Sequence, residues 1–238
     1  MAVLTIASLN LRFGIAPDTE APYDVTAAIG SLDADVVALQ EVWRPRTGEA
    51  PHLVAAAALG YEVVDLALPR AHNRSSPPLV RATDGPLGTW WGVAVLSRRP
   101  IGPPREFAFA SIPLDAAERR ALLVSTAGVT IVTPHLTYRP WGSPFHLARL
   151  RRILAELEGT AGEPAVVLGD LNMWGPVVAA FGRGWQRPVR GRTWPAHRPH
   201  SQIDHVLVSP GAEVHDAEVL GPVGSDHRPV RIRLRVDD

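Results

Sequence analysis

Short apolar runs that end on a polar side chain recur along this chain, and they constrain its fold more than any other feature. Residues 2–9, AVLTIASL, run straight into Asn10; DVVALQ (35–40) ends at Glu41; and VTIVTPHL delivers His135. AVVLGDLN delivers Asp170 and Asn172, and QIDHVLVS carries Asp204 and His205. Runs this short and continuous suit strands buried on both faces, as in a sheet covered by helices. The closing PVRIRLRV differs, because Val, Ile and Leu alternate with Arg231, Arg233 and Arg235, the period of a half-exposed strand. YEVVDLAL, WWGVAVLSR, REFAFA and RALLVST read as further strands, with Ala127-Gly128 as a tight turn into VTIVTPHL.

Between the strands the period changes to that of helices. Asp24 can cap a short helix running to Ser31, and a second helix is expected over roughly residues 49–59. In SPFHLARLRRILAELEG the apolar residues Leu147, Leu150, Ile153, Leu154 and Leu157 recur at helical spacing, with Pro144 early and Gly159 at the stop. Residues 69–88 and 182–200 are rich in Pro, Gly, Ser and Arg and read as long loops. IASLN near the start and VLGDLN at 167–172 form a faint internal echo that would suit two similar β-rich halves packed sheet against sheet. No boundary in composition separates domains, so a single domain over residues 1–238 is expected.

Composition removes several chemistries. Hydrophobic residues make up 46% of the 238, enough for a sizeable core, and the formal net charge is zero, so an anionic partner must be held locally. Every basic side chain of the Lys and Arg class is arginine, which excludes a P-loop lysine, a Schiff base and a pyridoxal phosphate anchor. Cysteine is absent, so disulfides, thiol nucleophiles and cysteine-ligated zinc or iron–sulfur sites are excluded too. MAVLTIASLNLR has no basic leader or cleavage site, and no window is apolar for eighteen residues or more. A soluble, cytoplasmic protein without a transmembrane segment is the expectation.

Asn10, Glu41, His135, Asp170, Asn172, Asp204, Asp226 and His227 all fall at expected strand ends or just beyond them. Strand ends along one sheet edge are where an α/β fold gathers residues from distant parts of the chain into a cleft. Each has a plainer reading: Glu41 as a solvated acid, Asp204 as the partner of a buried amide, His135 as a satisfied edge histidine, and GSDHRPV (224–230) as an ordinary turn. Together they form a consistent chemistry. Oxygen ligands such as Asn10, Glu41 and Asp226 suit Mg2+ or Mn2+, and a histidine paired with an aspartate, as Asp204 and His227 could be, suits general base work. HExxH and Gly-x-Ser-x-Gly patterns are both missing, against a zinc protease and a serine hydrolase.

Asn10 in ASLNLR, Gln40-Glu41 in LQEV, His135 in PHL, GDLN at 169–172, QIDHVLVS at 202–209 and SDHRPV at 225–230 resemble, in order, the motifs of the endonuclease/exonuclease/phosphatase superfamily. The resemblance runs from residue 5 to 231. It implies an α/β fold, a four-layered sandwich of two mixed β-sheets flanked by helices with the cleft at one sheet edge. It also implies metal-dependent hydrolysis of a phosphoester by water attack at phosphorus, with Mg2+ or Mn2+ as cofactor. Glu41 would bind the metal, with Asn10 and Asp226 near it. Asp170 would orient or deprotonate the attacking water, and Asn172 would hold a phosphate oxygen. His227, oriented by Asp204, would contact the phosphate or act as base, and His135 would be a phosphate ligand or general acid.

The implied substrate is a nucleic acid or a small phosphodiester, with a phosphomonoester or lipid head group as the alternative, and the implied enzyme is a monomer. His135 stands where the apurinic endonucleases carry a tyrosine pattern, which leans away from that branch. Trp43, Trp141, Trp174 and Trp194 lie within a few residues of these motifs and are candidates for the cleft rim. Arg183, Arg187, Arg190, Arg192 and Arg198 lie in the loop before QIDH and could track a phosphodiester backbone or be solvated.

Overall fold

The apolar runs form eleven strands in two sheets. In chain order these are β1 (Ala2–Asn10), β2 (Val36–Arg44), β3 (Glu62–Ala67), β4 (Trp90–Ser97), β5 (Arg105–Ala108), β6 (Arg120–Thr126), β7 (Val129–Pro134), β8 (Ala165–Asp170), β9 (Asp204–Val208), β10 (Val214–Val219) and β11 (Val230–Val236). The helices are α1 (Val25–Gly30), α2 (Pro51–Leu59), α3 (Pro78–Asp84), α4 (Ser143–Glu158) and α5 (Gly175–Phe181). The computed structural model describes residues 2–71, 76–84, 90–158 and 163–236.

One sheet has the order β10-β11-β1-β2-β4-β3 and the other β5-β6-β7-β8-β9. Both are mixed, since β1 pairs in parallel with β2 and β7 with β8 while their other pairings are antiparallel. The sheets face each other across a core of β-branched residues, with Ile6, Val36 and Val95 on one side and Val124, Ile131, Val166 and Val206 on the other. Helices α1 and α2 cover the outer face of the first sheet, where Val25, Ile29 and Ala55 meet Leu9, Val37 and Leu96. Helices α4 and α5 cover the second, with Leu147, Leu150, Ile153, Leu154 and Val178 against Val132, Val167 and Leu207. The result is the expected four layers, and the apolar runs are continuous because the central strands are buried on both faces.

Local signals act as the sequence suggests. The Asp24 carboxylate accepts the Ala27 amide hydrogen and starts α1. Gly159, the expected stop of α4, lies outside the described residues. Three elements depart from the sequence reading. Segment 69–88 is not wholly a loop: it contains α3, anchored by buried Val80 and by the Asp84 carboxylate, which accepts from Trp43 Nε1 at 2.7 Å and from the Arg46 amide at 3.0 Å. Helix α5 and strand β10 also form, both too short or too mixed in polarity to carry a period of their own. Segment 182–200 forms no helix or strand, only single bridges from Gln186 to Val208 and from Trp194 to Ser201.

The internal echo has a different meaning from the one its letters suggest. Each sheet contains a parallel strand pair joined through a helix, β1-α1-β2 and β7-α4-β8, and the chain leaves each first strand alike: Leu11 N–H donates to Gln40 O, and Leu136 N–H to Asp170 O. By position, Asn10 therefore corresponds to His135, and the Leu-Asn of GDLN has a different topological place.

Candidate active site

The eight candidate residues converge at one end of the sandwich, and they come from both sheets rather than from one sheet edge. The first sheet contributes Asn10 from the end of β1, Glu41 from β2, and Asp226 and His227 from the turn before β11. The second contributes His135 after β7, Asp170 and Asn172 at and beyond the end of β8, and Asp204 at the start of β9. Gln40, fully buried, ties the two sheets beneath the site by donating from Nε2 to Ser8 Oγ and Thr133 Oγ1.

Glu41 does not lie beyond a strand end as the sequence suggests. Strand β2 continues to Arg44, and Glu41 is the extra residue of a bulge, with the pairing to β4 shifting between Gln40 and Val42. Its φ of +49° is unusual for a non-glycine residue, and strain of this kind costs about 1–3 kcal/mol and collects at functional sites. Asn172, with the same φ, turns the chain sharply after β8. Gly169 of GDLN is required for another reason: a Cβ there would collide with the carbonyl oxygen of Pro134.

The turn 224–227 is pinned to β1, because Ser225 Oγ donates to the Asn10 carbonyl at 2.6 Å and accepts from the His227 amide at 3.2 Å. This presents the His227 ring to Asp204, whose oxygens lie 2.9 and 3.1 Å from Nδ1. The opposite nitrogen, Nε2, lies 3.9 Å from Asp170 Oδ2 and 4.0 Å from Asp226 Oδ1. Asp170 accepts from Asn10 Nδ2 at 3.1 Å and from the Asn172 amide at 2.8 Å, and its Oδ2 lies 3.5 Å from His135 Nε2. Asn10 turns its carbonyl oxygen to the Arg12 amide and its NH2 group toward Asp170 and Glu41. Asn172 donates from Nδ2 to Leu136 O.

Burial sets these groups' proton affinities in opposite directions. Burial alone would strip the His227 ring of its proton, but the Asp204 carboxylate outweighs it, helped by Asp170 and Asp226, and pushes the ring up to about 10. His135 is driven well below the usual imidazole range by burial and by the nearby positive charges of Arg119 and His227. Burial raises Asp170 to about 7, with Asp204 and Glu41 adding to the shift and His227 opposing it. Glu41 is raised by burial and by the adjacent Asp226. One histidine is thus charged at neutral pH, the other neutral.

Two sets of side chains offer donors for a cation. Asp170, Asp204 and His227 bring ligand atoms within 4.8 Å of one another, but Asp204 is already spent on His227 Nδ1. Glu41 and Asp226 are the more open pair, with side chains 23% and 24% exposed, and the Asp226 charge adds to burial in disfavouring an ionised Glu41. Arg12 Nε, 4.0 Å from Asp226 Oδ2, is only a distant counterion, and hard carboxylate oxygens that keep this access suit a small divalent ion, so this second set fits Mg2+ or Mn2+ better.

Around these groups lies a cleft of about 590 Å³. Its walls are largely apolar and aromatic: Phe13, Trp91, Tyr138, Trp174, Trp194 and Ile203. Of the four tryptophans singled out by the sequence, Trp174 and Trp194 line it, and Trp194 Nε1 donates to Asp226 Oδ2 at 3.3 Å. Trp43 is instead buried against Asp84, and Trp141 lies outside under Arg139. Trp91 and Arg119 are cleft residues that the motifs do not reveal. Arg119 is almost wholly enclosed, gripped by both oxygens of Asp115 at 2.9 and 3.0 Å, with its guanidinium 5.2 Å from the Trp91 ring centre. A doubled arginine before an apolar strand, ERRALLV, was the only signal available.

Solved structures share this architecture. An endonuclease/exonuclease/phosphatase from Beutenbergia cavernae is 23% identical, with a TM-score of 0.75 over 99% of this chain and 72% of that one. A mannosyl-6-phosphatase from Bacteroides thetaiotaomicron is 19% identical, with a TM-score of 0.72 over 98% of this chain and all of the other. ANGEL2, a 2′,3′-cyclic phosphatase solved with adenosine-2′,3′-vanadate, is 14% identical, with a TM-score of 0.70 over 98% of this chain and 95% of that one. No curated protein matches the chain. The model of the Endonuclease/Exonuclease/phosphatase family matches residues 7–227, from the middle of β1 through His227, and the chain belongs to that family.

Proposed function

We propose that this protein is a divalent-metal-dependent phosphodiesterase that hydrolyses its substrate by direct attack of water on phosphorus. The observation that carries the reading is the pairing of a charged His227, held by Asp204, with a proton-accepting Asp170 across the mouth of the cleft. A phosphodiester transition state gathers negative charge on its non-bridging oxygens and needs donors placed in advance. His227 Nε2 supplies one such donor, and Asn172 a second beside it. Asp170, near neutrality in proton affinity and fixed by Asn10 and the Asn172 amide, takes the proton of the attacking water as the bond from phosphorus to the leaving alcohol breaks, and the departing oxygen takes its proton from solvent water.

His135 is neutral and presents Nε2 to Asp170 and Glu41, so its role is to orient these carboxylates and to contact a phosphate oxygen, not to serve as the acid. Glu41 and Asp226 would hold Mg2+ or Mn2+, with Asn10 steering Glu41 through its NH2 group; the ion supplies positive charge at the phosphate. The diester reading is favoured over a monoester by the walls. Two organic substituents on phosphorus fit aromatic surfaces, whereas a dianionic head group asks for free cations, and Arg119 is neutralised by Asp115.

Purified protein incubated with supercoiled plasmid or bis(p-nitrophenyl) phosphate and Mg2+ tests this. Turnover that stops with a chelator and with His227→Ala supports the reading. Turnover of p-nitrophenyl phosphate alone would transfer it to a phosphomonoesterase.

A further inference from the structure

A second cavity of about 340 Å³ adjoins the catalytic cleft and shares Trp174 and Ser201 with it. Trp174 forms the partition, its indole 69% exposed and thus available from both sides. The remaining walls are Gly175, Pro176, Arg187, His200 and Gln202. Among the described residues, no carboxylate lines this cavity.

Arg187 is held there in an unusual way. Its guanidinium lies flat on Gly175, so close that a Cβ at that position would stand 2.6 Å from both Nη1 and Nη2. Nη1 donates to the Gly175 carbonyl, and Nη2 makes only a 3.5 Å contact with Gln202 Oε1. Nε is enclosed and has no acceptor. Partial burial and the neighbouring Arg190 both work against the charge, and no counterion answers it among the described residues. An arginine fixed in place with neutral partners alone is a cation waiting for an anion.

The surrounding segment points the same way. Residues 182–203 contain five arginines and two histidines and not one aspartate or glutamate, in a chain that is neutral only as a whole. Arg183, Arg190, Arg192 and Arg198 are exposed and make no side-chain ion pair among the described residues. The field of this segment therefore adds to that of Arg187 instead of competing with it.

We infer that this side cavity is a subsite for a second phosphate group of the substrate, bound by Arg187 with His200, while Trp174 carries the planar group that links it to the scissile phosphate. The inference rests on the reading of the neighbouring cleft as a phosphoester site. The ligand chemistry is that of a nucleotide flanked by phosphates on both sides, shared by a nucleoside bisphosphate and by a single-stranded oligonucleotide. Phosphate binding by arginine is strong and directional because the planar guanidinium offers two parallel donors.

The test is a binding measurement, so that it stands apart from turnover. Calorimetric titration of the wild-type protein with thymidine 3′,5′-bisphosphate and with thymidine 5′-monophosphate should give at least tenfold tighter binding of the bisphosphate. Glucose 1,6-bisphosphate, which lacks the planar base, should lose most of that advantage. Arg187→Gln should reduce the bisphosphate-to-monophosphate ratio to about one. Because Arg187 packs on Gly175, a variant that fails to fold is replaced by a measurement on the wild type: the 15N–1H resonance of Arg187 Nε should shift with the bisphosphate and not with the monophosphate. Equal affinities for the two nucleotides, an advantage that survives in a folded Arg187→Gln, or an unmoved Arg187 resonance would each overturn the subsite. Loss of plasmid and aryl diester hydrolysis with the bisphosphate preference intact would instead overturn the catalytic reading and leave a binding site.

Discussion

The two sheets bring unlike chemistry to their shared cleft. The first offers Glu41 and Asp226, partly open to solvent, with Glu41 raised in proton affinity by burial and by the nearby Asp226. The second offers Asp170 and Asp204, each with a side chain only 3% exposed and each already engaged in hydrogen bonds. One half is a pair of oxygen donors with partial access to solvent. The other is a finished network that fixes ring and carboxylate orientation before any substrate arrives. His227 joins them, since it comes from the first sheet's closing turn and bonds to the second sheet's Asp204. The difference explains why so many acids tolerate one another here: Asp170 and Asp204 are engaged by protein donors, while Glu41 and Asp226 keep partial access to solvent.

The largest effects should come from groups placed at the reacting atoms. Asp170→Asn, His227→Ala and Glu41→Gln should each lower kcat/KM on a diester by about 10³-fold or more while circular dichroism and melting stay native. Full activity in folded His227→Ala would remove the link between the halves. Asp204→Asn should cost about 10²-fold or more, because the carboxylate that keeps the His227 ring protonated is gone.

Cation binding separates the halves directly. Titration with Mn2+ should show Glu41→Gln weakening affinity by about 10–100-fold and Asp204→Asn by much less. The reverse order would place the ion in the Asp170, Asp204 and His227 cluster. The smallest effect concerns the strand that carries Asp204. His205, its neighbour, points away from the cleft and bonds Met173 O, and burial lowers its proton affinity to about 4. A folded value below the unfolded 6.5 means that the unfolded chain binds the extra proton, so stability is lost as pH falls through 6.5 toward 4. Between pH 7 and pH 5 this amounts to about 2 kcal/mol, at 1.36 kcal/mol per pKa unit. His205→Gln, which keeps a donor to Met173, should show a smaller loss in urea titrations at the two pH values, and an equal loss would contradict the assignment.

Much of the site was legible as letters. Asp24 as a cap, the α4 stripe and the ladder of PVRIRLRV all rest on nearest-neighbour physics, in which periodicity reports which face is buried. Asn10, Glu41, His135, Asp170, Asp204 and His227 stood out because each interrupts or ends an apolar run, and a polar group at that place needs a reason. Trp91 and Arg119 did not stand out, and Arg187 was one of five loop arginines that could track a phosphodiester backbone or be solvated. A tryptophan at the start of a strand reads as core, and an arginine in a loop reads as solvated, until distant segments enclose them.

By itself, then, the chain determined two sets of doubly buried strands, the helices that cover them and the identity of the polar residues at their ends, because burial pattern is written in local order. Only the tertiary structure decided that these residues come from both sheets, that Glu41 sits in a bulge within β2, and that His227 is charged while His135 is not. Those outcomes depend on which groups lie within a few ångströms across the fold, and Coulomb energies in a partly dry cleft are set by that distance and enclosure, not by position in the chain.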